Sequence, residues 1–158
     1  MSPLRSPVQT PLNLFLPVKR GDEGALENLL MLTRLREPNP IDVALRRLGN
    51  VHFAQFVMIP MAPPAGVPDG PPPQSLAVLT LYDGEFDDYI VSFVEAIGDI
   101  FDAILMHVDG GEAIVPVRNH RDAFIEFIRM HDIQSGGGIF SAYPGRRTFD
   151  IRDALGMP

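Results

Sequence analysis

The chain has 158 residues, enough for one hydrophobic core, and 46% of them are apolar, as in an ordinary globular domain. It contains no cysteine, which excludes disulfides, thiolate metal sites and a cysteine nucleophile. The net charge of −7 repels phosphate backbones, and no stretch reads as a signal or a membrane span. We therefore predict a cytoplasmic protein that binds neither nucleic acid nor a membrane.

Prolines divide the chain. Residues 1–11, with three prolines, are predicted to be a loose tail, and residues 12–158 a single domain with a proline-rich loop at 61–74. Within the domain, apolar runs and helical spacing of apolar residues predict the secondary structure. The predicted elements are strand 12–19, helix 26–35, helix 41–48, strand 51–60, strand 76–82, helix 85–106, helix 119–130, strand 139–143 and a tail element 146–155.

Both faces of the two central strands are rich in apolar residues. In strand 51–60, Phe53 and Val57 lie on one alternate set, and Phe56 and Met58 lie on the other. An antiparallel sheet with helices on one side only should alternate apolar and polar residues, so something covers the second face. Either the sheet of a partner subunit does so, which gives a dimeric barrel with a cavity, or the helices at 41–48 and 120–130 do so within one chain.

The order of these elements resembles the dimeric α+β barrel superfamily, which includes dye-decolorising peroxidases, chlorite dismutase relatives and EthD-like proteins. Three segments are also similar to a bacterial group whose members stand alone or beside peroxidase-like modules. These segments are Val51-His-Phe-Ala-Gln-Phe, Leu81-Tyr-Asp-Gly-Glu-Phe-Asp-Asp-Tyr89 and Phe101-Asp-Ala-Ile-Leu-Met-His-Val-Asp-Gly110. The resemblance implies an α+β, ferredoxin-like β-α-β-β-α-β antiparallel sheet with extra helices, forming a dimeric α+β barrel.

Two departures from the resemblance bear on activity. The group has arginine where this chain has Gln55, and the peroxidase Gly-x-x-Asp-Gly motif keeps its Asp-Gly here but begins with Thr80. Haem is therefore a possible cofactor that the sequence does not require, and the cofactor stays unknown.

Two histidines are candidates for a ligand site. His52 lies inside a strand, where it serves either as an acid, base or haem ligand or as a hydrogen-bonded histidine at the sheet surface. His107 follows the long helix, where it either caps the helix dipole or ligates haem.

Polar residues near the strand ends complete the candidates. Tyr82 and Asp83 end a strand beside the expected cavity mouth, and Gln55 lies in the strand that carries His52. Asp83 has an alternative interpretation as a turn or capping residue. The acidic cluster that follows does not match the spacing of an EF-hand loop, so we predict no metal site.

Two functions remain open at this stage. The first is a homodimeric binding or structural module with an apolar cavity for a small molecule. The second is a small-molecule oxidoreductase, either a cofactor-free monooxygenase or a haem-peroxidase-like enzyme. No dense group of catalytic residues is visible in the sequence, which favours the first.

Overall fold

A computed structural model describes residues 8–62, 65–66, 71–134 and 138–158. Most of the predicted tail, residues 63–64 and 67–70 of the proline-rich loop, and residues 135–137 lie outside the described residues. The described part contains three strands and five α-helices. They are β1 (Gln9–Pro17), α1 (Glu23–Arg34), α2 (Pro40–Leu48), β2 (Val51–Pro60), β3 (Gln74–Asp83), α3 (Phe86–Leu105), α4 (Arg121–His131) and α5 (Thr148–Ala154).

The strands form one antiparallel sheet in the order β1-β3-β2. β3 lies in the centre, so β1 and β2 are the two edges, and the connection between them runs through α1 and α2. The prediction of an α+β fold is confirmed. β1 begins at Gln9, three residues earlier than predicted.

The predicted fourth strand at 139–143 is wrong, because these residues are in neither a strand nor a bridge. The outer edge of β1 cannot accept a continuous ladder, since Pro11 and Pro17 have no N–H group to donate. The chain after α4 meets this edge only through an isolated bridge between Leu14 and Asp132. Further along, Phe140 is 93% exposed.

Local sequence explains where the connecting helices begin and end. The Asn39 side chain accepts a hydrogen bond from the N–H of Ile41 at 2.9 Å, and Pro40 takes the first position of α2, where a missing N–H does no harm. Gly49 ends α2 with φ of 74°, a left-handed conformation that favours glycine. α3 follows β3 after a short turn and has apolar residues at i, i+3 and i+4. No helix in the described ranges has both the length and the apolar content needed to cross a membrane.

The hydrophobic core lies on one face of the sheet, and we call this the helical face. Residues from four helices join it, including Leu26 of α1, Ala44 of α2 and Phe124 of α4. The strands contribute their alternate residues to the same core: Leu12, Leu14, Leu16, Leu76, Val78, Tyr82, Phe56 and Met58. α2 and α4 therefore pack on the same side as α3, and the interpretation in which they cover the second face is wrong.

The second face, which we call the open face, carries the other alternate residues. It consists of Pro11, Asn13, Phe15, Pro17, Phe53, Gln55, Val57, Ile59, Ser75, Ala77, Leu79, Leu81 and Asp83. Phe53 is 53% exposed, and Phe15, Val57, Ile59 and Leu79 are half-buried. Four residues of the open face are buried, and all of them lie on the central strand: Ser75, Ala77, Leu81 and Asp83.

Candidate functional site

The structure brings together two of the predicted site residues, His52 and Asp83. A bulge in β2 lies between Val51 and Phe53, so His52 is an extra residue opposite the end of β3. Its Nε2 lies 2.7 Å from Oδ1 of Asp83, and the two side chains are 12% and 8% exposed. A carboxylate at this distance fixes the orientation of the ring and leaves Nδ1 as the nitrogen available to another group.

Asp83 has a second partner that ties the chain's C-terminal segment to the sheet. Its Oδ2 accepts a hydrogen bond from the Thr148 N–H at 2.7 Å. The Gln9 side-chain amide donates to the carbonyls of Tyr143 and Arg146, at 2.9 and 2.8 Å. Asp83 is therefore neither the turn residue nor the helix cap of the alternative interpretation. The residue at the cap position of α3 is Glu85, without a side-chain bond.

A cavity of about 360 Å³ opens beside His52. α2, the first half of β2 and α5 form its walls. Its charged residues include Arg46 of α2 and Arg152 of α5 against Asp42, so the cavity is locally cationic in a chain of net charge −7. Within the described ranges, Arg46 makes no side-chain hydrogen bond or ion pair, and the Arg152 guanidinium donates to the carbonyl of Pro158.

A second cavity of about 660 Å³ lies along the same edge strand, between α1 and the later residues of β2. The two cavities share three lining residues, Ile41, Ala54 and Phe56. They therefore form one groove, which we call the edge groove, along the free side of β2. It extends from His52 at one end to Met58 at the other.

The other predicted site residues lie elsewhere. Tyr82 is on the helical face, where its ring stacks on Tyr89 with centroids 3.9 Å apart, and burial raises the pKa of both hydroxyls to about 12. Gln55 is exposed on the open face. His107 lies at the opposite end of the sheet from His52, with its Nδ1 3.0 Å from Oδ2 of Asp22 and its carbonyl bonded to the Lys19 N–H. His52 and His107 therefore cannot hold the same ligand.

Sequence reasoning missed the residues that complete the wall around His52. In the sequence, Arg46 is one charged residue of a predicted helix, and Arg152 and Thr148 lie in the predicted tail element. The two arginines are more than a hundred residues apart, so no local pattern joins them. The His-to-Asp distance of 31 residues carries no signal either, because it depends on the register of β2 against β3 and on the bulge.

Within the described ranges, no group of three or more histidine, aspartate and glutamate side chains could hold a metal ion. Geometry alone therefore indicates two regions of interest, the open face and the edge groove with its histidine and arginines. Comparison with known proteins adds no family to this picture, since the chain matches no family model, no curated protein and no solved structure.

Proposed function

We propose that this chain is a binding or structural module that works as a homodimer, with two open faces meeting around an apolar cavity for a small molecule. One observation carries the proposal: the core helices pack on the other face, and Phe15, Phe53, Val57, Ile59 and Leu79 of the open face stay at least partly exposed although they are apolar. Such a face loses unfavourable contact with water when a second surface covers it.

The size of the open face supports an interface. Three strands of nine or ten residues span about 30 Å by 14 Å, a projected area of roughly 400 Å². A standard interface takes about 800 Å² from each partner, so the loops that border the face must also contribute.

The charge distribution favours a second copy of the chain as the partner. Two chains of net charge −7 repel each other. The open face has one charged residue, Asp83, and both of its carboxylate oxygens already accept hydrogen bonds. Two such faces can meet without placing like charges opposite each other, as a symmetric dimer requires.

The solution mass tests this proposal. We expect light scattering to give twice 17.4 kDa for the native chain and a monomer for Leu79→Asp, which puts a charge on the central strand in the middle of the contact. Leu32→Asp is the matched control, since Leu32 is 54% exposed on α1, away from the sheet. A native chain that is monomeric at all concentrations would refute the dimer. An apolar dye that binds Leu79→Asp as well as it binds the native chain would refute the cavity.

The pairing of His52 with Asp83 favours one second candidate, a small-molecule oxidoreductase. Because Asp83 holds Nε2, the nitrogen left for haem iron or for proton transfer is Nδ1. If the chain binds haem through His52, the Soret band of added haemin should shift when the chain is present. The shift should be lost in His52→Ala and kept in His107→Ala. A spectrum identical to that of free haemin would exclude the haem-dependent form of this candidate.

A further inference from the structure

We propose that the edge groove binds an extended peptide as an additional strand antiparallel to β2, with a carboxylate of the peptide held by Arg46 and Arg152. The groove shares Phe53, Gln55 and Val57 with the open face, but the inference uses the outward backbone groups of β2 and so does not depend on the dimer. It is argued from three features of the described residues: the backbone of β2, the walls of the groove and the charge at one end.

The backbone of β2 presents unused hydrogen-bonding groups to the groove. The Gln74 carbonyl points toward β1, where it accepts from Val18, and the Asp83 N–H points toward β2, where it donates to Asn50. The backbone groups of successive residues point to opposite sides of a strand. The even-numbered residues of β3 therefore bond with β1, and the odd-numbered residues bond with β2. Their partners, such as Gln55 opposite Leu79, are the odd-numbered residues of β2.

The even-numbered residues of β2 therefore point their N–H and C=O groups away from β3. These are Ala54, Phe56 and Met58, and β2 is the terminal strand of the sheet in the described ranges. From Val51 to Ile59 the strand has no proline and no lysine, aspartate or glutamate, which are the usual means of protecting an edge. An added strand would form hydrogen bonds with these outward N–H and C=O groups.

The walls of the groove suit the side chains of an extended peptide. Leu30 and Met31 of α1 face the later residues of β2 across the larger cavity, and Met31 is 51% exposed. From His52 to Met58 the groove is about 20 Å long, enough for six or seven residues in extended conformation. A groove between a helix and a free strand is a recurrent site for strand addition, in which backbone bonds give affinity and side-chain contacts give specificity.

The charge distribution sets the direction and the end of the peptide. Arg46, Arg152 and His52 lie at the beginning of β2, and only Asp42 opposes them among the lining residues there. A strand antiparallel to β2 runs toward this end, so its C-terminal part reaches the arginines. Guanidinium groups pair with carboxylates through charge-assisted hydrogen bonds. The favoured occupant is thus a peptide with apolar residues at alternate positions and a free C-terminal carboxylate.

A second copy of β2 is a weaker occupant. Pairing two β2 strands antiparallel would place residues near Pro60 of one chain at the arginine end of the other. Pro60 has no N–H group, and the segment 59–62 carries no carboxylate to match the arginines.

A displayed library of random hexapeptides with free C-terminal carboxylates provides the probe. We expect it to enrich peptides that bind the full chain and shift the amide resonances of Ala54, Phe56 and Met58. For the best of these peptides, amidation of the C-terminus and the variant Arg46→Glu should each weaken binding at least tenfold. Arg36→Glu, at another exposed arginine outside the groove, should leave binding unchanged.

A backbone variant tests the strand addition itself. Ala54→Pro removes an outward N–H without breaking the ladder to β3, so it should abolish binding while the thermal unfolding temperature stays close to native. If this variant is unstable, the amide shifts and Arg46→Glu carry the test. Leu79→Asp, which tests the dimer at a residue that does not line the groove, should still bind the peptide, so the two proposals can fail separately.

Three results would overturn the inference. The library could yield no binder, a binder could be indifferent to both amidation and Arg46→Glu, or the amides of residues 54, 56 and 58 could become protected as the concentration of the free chain rises. The last result would show that a second copy occupies the edge.

Discussion

The two edge strands of the sheet differ in how the rest of the chain treats them. β1 buries Leu12, Leu14 and Leu16 to 3% exposure or less, whereas no residue of β2 is fully buried. Around β1, the chain supplies bonds from Asp132, Ile133 and Asp109, and around β2 it leaves a groove. In one sheet, one edge thus serves stability and the other is left available, which is the pattern expected when binding uses the less protected strand.

The largest expected effect distinguishes the packing of the two edge strands. Leu14→Ala removes a side chain that is 2% exposed and should lower the free energy of unfolding by about 3 kcal/mol. Phe56→Ala, at a half-buried position of β2, should cost about half as much despite the larger side chain. Urea unfolding of both variants measures the difference, and equal losses would show that the edges are packed alike.

The central strand provides the next test, through Tyr82 and its stacking partner Tyr89. Burial raises the pKa of both hydroxyls from 10.0 to about 12. The native chain therefore holds these protons more tightly than the unfolded chain, and the stability they contribute is present below pH 10 and lost as the pH rises to 12. Deprotonation of each tyrosine should lower the free energy of unfolding by up to about 1.4 kcal/mol per pH unit in this window.

Phenolate absorbance as a function of pH checks this prediction, in a Tyr143→Phe background that leaves only the two buried tyrosines. We expect phenolate to appear together with unfolding, and Tyr89→Phe to make the loss of stability less steep. A phenolate signal near pH 10 from a chain that is still folded would contradict the burial of the pair.

An intermediate effect is expected at Asp83, where β2 and the C-terminal segment meet. Asp83→Asn keeps the size of the side chain but removes the charge that His52 and the Thr148 N–H share. We expect a loss of about 2 kcal/mol in the free energy of unfolding, since the bonds are part-buried and charge-assisted. Urea unfolding of Asp83→Asn, His52→Gln and the double variant measures it. If the losses simply add, the pair is not energetically coupled.

Much of the fold could be predicted from sequence, because it depends on periodicity. The spacing of apolar residues in α3 and the two-residue alternation in β2 and β3 are local signals that tertiary packing reinforced. The strand at 139–143 failed for a non-local reason, since Pro11 and Pro17 prevent a continuous ladder on the receiving edge of β1. The site was predictable only in part: His52 and Asp83 were singled out separately, but their contact depends on a bulge. Arg46 and Arg152 belong to helices whose meeting no local pattern encodes.

The smallest expected effect concerns the bonds that protect the edge of β1. The Asn13 N–H donates to Oδ1 of Asp132 at 3.0 Å, and the Ile133 N–H donates to the Asn13 carbonyl at 2.9 Å. Asp132→Ala removes one of these bonds and should lower the free energy of unfolding by about 1 kcal/mol.

Native-state hydrogen exchange is the sharper measurement of the same change, because it reports each amide separately. In the native chain, the Asn13 amide should exchange more slowly than the outward amides of Ala54 and Phe56. In Asp132→Ala it should approach their rate, whereas the Gln55 amide, which faces β3, should not change. If Asn13 stayed protected in the variant, its protection would come from the backbone of residues 132–133 and not from the Asp132 side chain. The two edge strands would then differ because a chain segment lies beside β1, and not because of a particular side chain.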